Sequence, residues 1–287
     1  MKVKNSLFKN LIYSLSFISL LMVFILIFFL FKESVPFLKE KGLLNFIFSK
    51  TWNALDYEFG LFNILYASFY IAFLACIISF SFSYAIALYI CFYTNKAFYI
   101  FLKWLINILA GIPSIIYGFF GLFVIVKFLE KTLKISAGET VLAASLILSI
   151  MIIPYFVSNL TESFEILKKK YKKDSDALAV TKEFFIRKII FKKSFLPIIT
   201  GFVLAFSRAI GETMAVMMVI GNAPIPCKIL SKAETVASLI ALEVGQTPAF
   251  SLHYKALFAS GFVLLFFVLI LNVVLFVLNS RKRDFYD

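Results

Sequence analysis

The sequence predicts an all-α polytopic membrane protein with six transmembrane helices, and three observations carry that prediction. Of the 287 residues 62% are hydrophobic, 37 are phenylalanine, and the mean hydropathy is +0.95, which excludes an ordinary soluble domain. Charge-free runs at Leu11–Phe31, Phe59–Asn95, Trp104–Val126, Thr140–Thr161 and Ala256–Ser280 each supply the roughly 20 residues that cross a bilayer. A further stretch, Pro197–Ile220, is equally apolar except for Arg208 and Glu212.

The first run is longer than a leader's apolar core and no small-residue cleavage site follows it, so it is read as a span. Lys32–Glu58 then forms an outside loop whose Phe37, Phe46, Phe48 and Trp52 place it along the outer interface. Phe59–Asn95 is too long for one straight span and too short for two with a connection. It reads as an interfacial lead-in near Phe59–Ala67 followed by one long helix.

The third span contains AGIPSIIYGFFGL, in which Gly111, Ser114, Gly118 and Gly121 make one small face for close helix packing. Pro113 removes a backbone donor and should kink that helix. A kinked, small-faced helix serves either as a packing groove or as part of a path that opens and closes.

Between the fourth and fifth spans lies the largest inside segment, Glu162–Lys193. Its Lys168–Lys193 portion holds ten basic residues against Asp174, Asp176 and Glu183, a formal excess of seven positive charges. Thr181 is an N-cap candidate with Glu183 in the first turn. Phe184, Phe185, Ile189 and Ile190 follow on one side and Arg187, Lys188 and Lys192 on another, the pattern of a short amphipathic helix at the inner interface. The lysines suit anionic lipid, whereas the alanine-rich, apolar Asp176–Val180 suits a cytoplasmic partner. With Lys2, Lys4 and Lys9 before the first span and Arg281, Lys282 and Arg283 after the last, the densest Lys/Arg segments share one side. That side is the cytoplasm, and it holds both termini. The same placement accounts for the net charge of +13 without any nucleic-acid partner.

The fifth span carries the most informative pair. A charge at bilayer depth costs about 2.5–3.5 kcal/mol on insertion scales, so such residues are usually held for ion or substrate handling. Gly201, Ala205, Arg208, Glu212 and Ala215 recur at alternating spacings of four and three, a small-residue face turned toward a bundle interior. If the helix is continuous, Arg208 and Glu212 stand one turn apart and neutralise each other until an anion competes for the arginine. The other reading is an internal salt bridge that only fixes packing.

Cys76, Cys91 and Cys227 lack paired or metal-ligand spacing and are read as small hydrophobes. His253 is read as a solvated loop residue without chemistry. No phosphate loop, dinucleotide fingerprint, zinc-protease motif or nucleophile elbow occurs, so no metal or cofactor is expected and any ATP hydrolysis belongs to a partner.

Two stretches, RAIGETMAVMMVIGN (Arg208–Asn222) and AGIPSIIYGFFGL (Ala110–Leu122), resemble the permease subunit of bacterial phosphate-specific ABC importers of the PstC type. Thr51–Asn53 with Phe59–Gly60 adds to the resemblance, which covers about Phe31 to Arg281. It implies a MetI-like ABC importer permease core at 61–287, with the N-terminal span and external loop at 1–60 and a coupling loop at 162–193. The implied partners are a sister PstA-type permease, a cytoplasmic ATPase dimer, an external phosphate-binding protein and membrane lipid. Arg208, Gly211, Glu212 and Thr213 then belong to the substrate path, and Gly111, Pro113, Ser114, Gly118 and Gly121 to helix packing. In the family the coupling loop carries E-A-A-x(3)-G, which falls on Lys173–Ala179. Lys173 replaces the glutamate, Asp174 and Ser175 the alanines, Ala179 the glycine, and Phe191–Lys192 the usual Leu-Pro. The coupling residues implied are Ala177, Leu178, Ala179 and Thr181. Permeases for sulfate, molybdate or tungstate carry related segments, and an ion-coupled carrier using Glu212 is the reading from a different class.

Overall fold

A computed structural model describes the backbone of residues 2–286 and the side chains of residues 8–277. Lys2, Lys4, Arg281, Lys282 and Arg283, which enter the orientation argument, lie outside the described side chains. In chain order the elements are α1 (Lys2–Lys41), α2 (Leu43–Phe48), β1 (Trp52–Asn53), β2 (Glu58–Phe59), α3 (Phe62–Leu88), α4 (Lys96–Gly111), α5 (Ser114–Phe120), α6 (Lys127–Leu133) and α7 (Val141–Ala177). There follow α8 (Lys182–Phe184), α9 (Phe191–Lys193), α10 (Phe195–Ile210), α11 (Met214–Met217), α12 (Val236–Glu243) and α13 (Leu252–Tyr286). Single π-helical segments continue α3 at Tyr89–Tyr93 and join α5 to α6 and α8 to α9.

Among the described residues four helices are long and apolar enough to span alone, and the number rises to six if each of two bent pairs, α4 with α5–α6 and α8–α9 with α10, counts as one span. The chain divides into two compact units, one running to Phe62 and including Ile240–Phe266, the other comprising Asn63–Leu239 and the chain from Phe267 onward.

In the first unit the outer loop is more ordered than the sequence reading supposed. Helix α1 continues through Pro36 to Lys41, and β1 pairs with β2 so that Trp52 faces Phe59. Phe37 meets Phe46 and Phe59 edge-on at 5.0 and 5.8 Å, and Trp52 meets Phe59 at 5.3 Å. Phe37, Phe46 and Trp52 are therefore core residues, and of the four aromatic residues only Phe48 is exposed. Burial of such rings is the main stabilising term available to a segment this short.

The second unit is built around α7, whose most apolar window is 67% buried inside the protein. Thr140 caps its start by accepting a hydrogen bond from Ala143 N–H. Helix α3 runs unbroken into its π-helical end, so the separate lead-in at Phe59–Ala67 is corrected: from Phe62 onward those residues are the first turns of the span. Pro113 does more than kink the third span, since α4 and α5 meet at 92°. Proline disfavours the α conformation in the residue before it, and Ile112 is accordingly extended at φ −69°, ψ 127°. The Tyr117 hydroxyl donates to Leu109 O at 2.8 Å, adding to the long 3.4 Å bond from Ile112 N–H where Pro113 has no N–H to give.

The small face of that span is used only in part. A Cβ on Gly118 would lie 2.6 Å from Met218 Sδ, and one on Gly121 2.7 Å from Val219, so these two glycines allow α5 to approach α11. Gly111 has nothing within 4 Å and plays no part in that contact. The inside segment is also corrected: from Glu162 to Ala177 it is the continuous extension of α7. Thr181 caps the next helix as expected, accepting from Phe184 N–H. Phe185, Ile186 and Ile190 form its buried side, whereas Phe184 is exposed.

Candidate functional site: a cleft between α7 and α10

Two helix stripes face one another in the second unit. Tyr155, Ser158, Asn159 and Glu162 fall at i, i+3, i+4 and i+7 on α7, and Gly201, Leu204, Ala205 and Arg208 repeat that spacing on α10. Such spacing keeps each set on one face. Together they line a cleft of about 400 Å³. Gly201 sets how closely the helices meet, because an added Cβ would lie 2.9 Å from Asn159 Oδ1.

Arg208 reaches across this cleft to Tyr155, its Cζ 4.2 Å from the ring centroid. Stacking on a ring face occupies the flat side of a guanidinium and leaves its N–H edge available. Among the described residues no ion pair or hydrogen bond engages that edge. The expected pairing with Glu212 is not formed, and the reason is local. Helix α10 ends at Ile210, and Gly211–Thr213 breaks the helix before α11 resumes at Met214. Glycine and threonine are both poor helix formers, and their proximity allows this break. Glu212 therefore leaves the face that carries Gly201, Ala205 and Arg208. Its Oε1 faces Ala215 N–H at 3.5 Å, in the first turn of α11. Ala215 is likewise buried beyond the break and does not share the Arg208 face.

Asn159 Oδ1, Thr161 Oγ1 and Ser207 Oγ are buried without a hydrogen-bond partner. A second cleft of about 270 Å³ lies between α4 and α7, shares Ser158 and Glu162 with the first, and adds Lys103, Asn107 and Thr161. It shares Tyr99 and Glu165 with a third, of about 910 Å³, which bears Lys96, Lys168, Lys169, Lys172 and Lys173. Tyr99 donates to Glu165 Oε1 at 2.6 Å where the latter two meet.

The residues Ala177, Leu178, Ala179 and Thr181 form a tight turn at the end of α7. Leu178 N–H donates to Asp174 O, Ala179 N–H to Asp176 O and Val180 N–H to Ser175 O. Ala179 has φ +51°, the left-handed conformation that glycine adopts at least cost. Glycine would suit this position best, and the chain forms the turn with alanine in its place. Leu178 is 77% exposed, an apolar side chain projecting at the tip.

Sequence reasoning missed Tyr155, Asn159 and Glu162, although polar residues at helical spacing in the run Thr140–Thr161 and its flank were a usable signal. It also assigned His253 no chemistry. In the first unit His253 Nε2 lies 2.7 Å from Glu243 Oε2, Trp52 Nε1–H donates to the same oxygen at 3.2 Å, and Phe59 stacks on the imidazole at 5.5 Å. Those partners come from two separate parts of the sequence, the Trp52–Phe59 hairpin and Glu243, and leave no local pattern.

Residues 80–283 match the family described as binding-protein-dependent transport system inner membrane component. A probable ABC transporter permease, YqgH of Bacillus subtilis, is 31% identical over 84% of this chain and 79% of its own length. The phosphate transport system permease PstC of Xylella fastidiosa is 32% identical over 83% of this chain and 80% of its own. Among solved structures, a chain of the inward-facing MetNI methionine ABC transporter superposes with a TM-score of 0.59 at 14% identity, covering 78% of this chain and 95% of that one. The chain belongs to the binding-protein-dependent transport system inner membrane components, with the ABC permease fold that its helices and their breaks build.

Proposed function

We propose that this protein is a permease subunit of an ATP-driven phosphate importer and that the α7–α10 cleft is its share of the anion path. The observation that carries this reading is the Arg208 guanidinium, held against Tyr155 in a membrane-spanning segment with no carboxylate paired to it among the described residues. Uncompensated charge at that depth is costly, and a mobile anion supplies the compensation during transport. A planar guanidinium, with several donors, replaces part of an oxyanion's hydration shell better than an ammonium does. Relatives named for phosphate transport point to phosphate as that anion. Gly211, Glu212 and Thr213 form the non-helical stretch beside Arg208, where a carboxylate repels an anion that would otherwise bind too tightly to leave.

Energy comes from partners. The turn at Ala177–Thr181, with Leu178 at its tip, docks in a groove of a cytoplasmic ATPase, two copies of which serve the complex. A sister PstA-type permease completes the path, and similarity to a PstA 2 protein over 41% of this chain supports a paired arrangement of related subunits. An external binding protein delivers phosphate. Both termini and Glu162–Lys193 face the cytoplasm, because the densest Lys/Arg segments share that side.

The test is labelled-phosphate uptake measured alongside recovery of the intact complex from membranes. Arg208→Gln is expected to abolish nearly all uptake with the complex assembled, Arg208→Lys to keep a minor part, and Glu212→Gln to impair transport more than assembly. Normal uptake by Arg208→Gln removes the arginine from the path. Cysteine labelling from outside in intact cells tests the orientation, and reaction of the Glu162–Lys193 segment from that side overturns it.

A further inference from the structure

We infer that Glu162 is a specificity-determining residue that selects protonated oxyanions over unprotonated ones in the Arg208 cleft. The inference rests on the anion-path reading above and adds the chemistry of the opposite wall.

The cleft carries donors on one side and acceptors on the other. Arg208 enters from α10 and Glu162 from α7, yet no ion pair within 4.0 Å joins them, and no hydrogen bond engages Glu162 among the described residues. A cation and a carboxylate that line one cleft without pairing each remain open to a third group. Asn159 Oδ1 lines the same cleft, against Gly201, and is a buried acceptor without a donor among the described residues. An unsatisfied buried acceptor is costly, and an occupant that donates to it removes that cost.

An ionised carboxylate only accepts hydrogen bonds, and a guanidinium only donates them. An occupant bridging the two must therefore accept from Arg208 and donate to Glu162. Phosphate and arsenate retain one or two protons at neutral pH and do both. Sulfate retains none, so it meets the arginine favourably and the carboxylate as bare like-charge repulsion. A site built to hydrogen-bond a substrate hydroxyl strongly rejects an analogue lacking it, because its own polar group is left unpaired. Discrimination at this position acts on the permease itself, after any external binding protein has released its cargo.

The experiment places a reporter in the cleft of the assembled complex without the external binding protein. Ser158→Cys, in a background with Cys76, Cys91 and Cys227 replaced by serine, is alkylated in the presence of inorganic phosphate, arsenate or sulfate, and assembly is verified for each variant. With Glu162 intact, phosphate and arsenate are expected to slow alkylation at least tenfold more effectively than sulfate does. Glu162→Gln, whose amide offers a donor as well as an acceptor, is expected to bring sulfate to within about threefold of phosphate while phosphate still protects. Equal protection by sulfate and phosphate with Glu162 intact, or unchanged discrimination in Glu162→Gln, overturns the inference and leaves the anion path standing. Absence of protection by every anion, with no difference between Arg208 and Arg208→Gln, overturns the path itself. Should Ser158→Cys fail to assemble, Leu204→Cys on the opposite wall carries the same comparison.

Discussion

The Arg208 guanidinium lies 4.2 Å from the centre of the Tyr155 ring, across the contact between α10 and α7. Among the described residues this stacking, and no carboxylate, holds the cation. A cation–π contact contributes about 0.5–2 kcal/mol depending on desolvation, enough to fix a side chain without cancelling its charge. Tyr155→Phe keeps the ring and is expected to transport phosphate close to the wild-type rate. Tyr155→Leu removes the platform and is expected to lower uptake severalfold, with normal recovery of the complex. Equal uptake by the two variants shows that the ring has no part in positioning the arginine.

Arg208 and Glu212 also mark how far a sequence can be read and where that reading stops. Two charges in an apolar run identify the region because their insertion cost is a property of the residues themselves. Their relation to one another is not, since it depends on whether the helix continues, and GET is equally compatible with a helix and with a break. The same division holds at Pro113, where a bend is legible from the missing donor but its 92° size depends on what α5 packs against. Gly118 and Gly121 were recognisable as a contact face, whereas Gly111 shares the spacing and meets nothing. His253 was out of reach, because Trp52, Phe59 and Glu243 join it only through the fold.

Gly201 and Asn159 set the width of the cleft. Gly201→Ala brings a methyl group to within 2.9 Å of Asn159 Oδ1, closer than such atoms normally stand. Overpacking of this kind costs about 1–3 kcal/mol, so the variant should lower the melting temperature of the purified complex and reduce uptake. Removing the opposing atom should relieve it. The double variant Gly201→Ala with Asn159→Ala is expected to be more stable than the sum of the two single changes allows, by about 0.5–3 kcal/mol of coupling. Strict additivity rules out the contact as the cause.

Cys227, in the loop after α11, has its thiol pushed up by burial from 9.0 to about 11. The reactive species is the thiolate, so raising this value suppresses alkylation at neutral pH. At pH 8 the thiolate fraction falls by about a hundredfold relative to an unshifted thiol, from the difference between 9.0 and about 11. Maleimide labelling of Cys227 in the folded complex should therefore be slow at pH 7–8, accelerate as pH rises toward 11, and become fast on denaturation. Rapid labelling at pH 7 in the folded complex contradicts the burial.

The turn after α7 allows a conformational effect to be separated from a docking effect. Ala179 sits at φ +51°, where a β-carbon costs about 1–2 kcal/mol, so Ala179→Gly removes the strain at some cost in unfolded-chain entropy. A net stabilisation of about 0.5–1 kcal/mol is expected, read as a higher melting temperature. Ala177→Gly, at the last residue of α7, should change stability by a similar amount in the opposite direction, because glycine there only loosens a helical turn. Leu178 is different again. It is 77% exposed and contributes little to the fold of this chain, so Leu178→Asp should leave its stability within about 0.5 kcal/mol of wild type. An apolar knob seated in an ATPase groove is nevertheless a position where a buried charge weakens the complex. Leu178→Asp is therefore expected to lower co-purification of the ATPase and phosphate uptake together, while Ala179→Gly preserves both. Undiminished ATPase binding and uptake in Leu178→Asp would show that coupling enters the permease somewhere other than this turn.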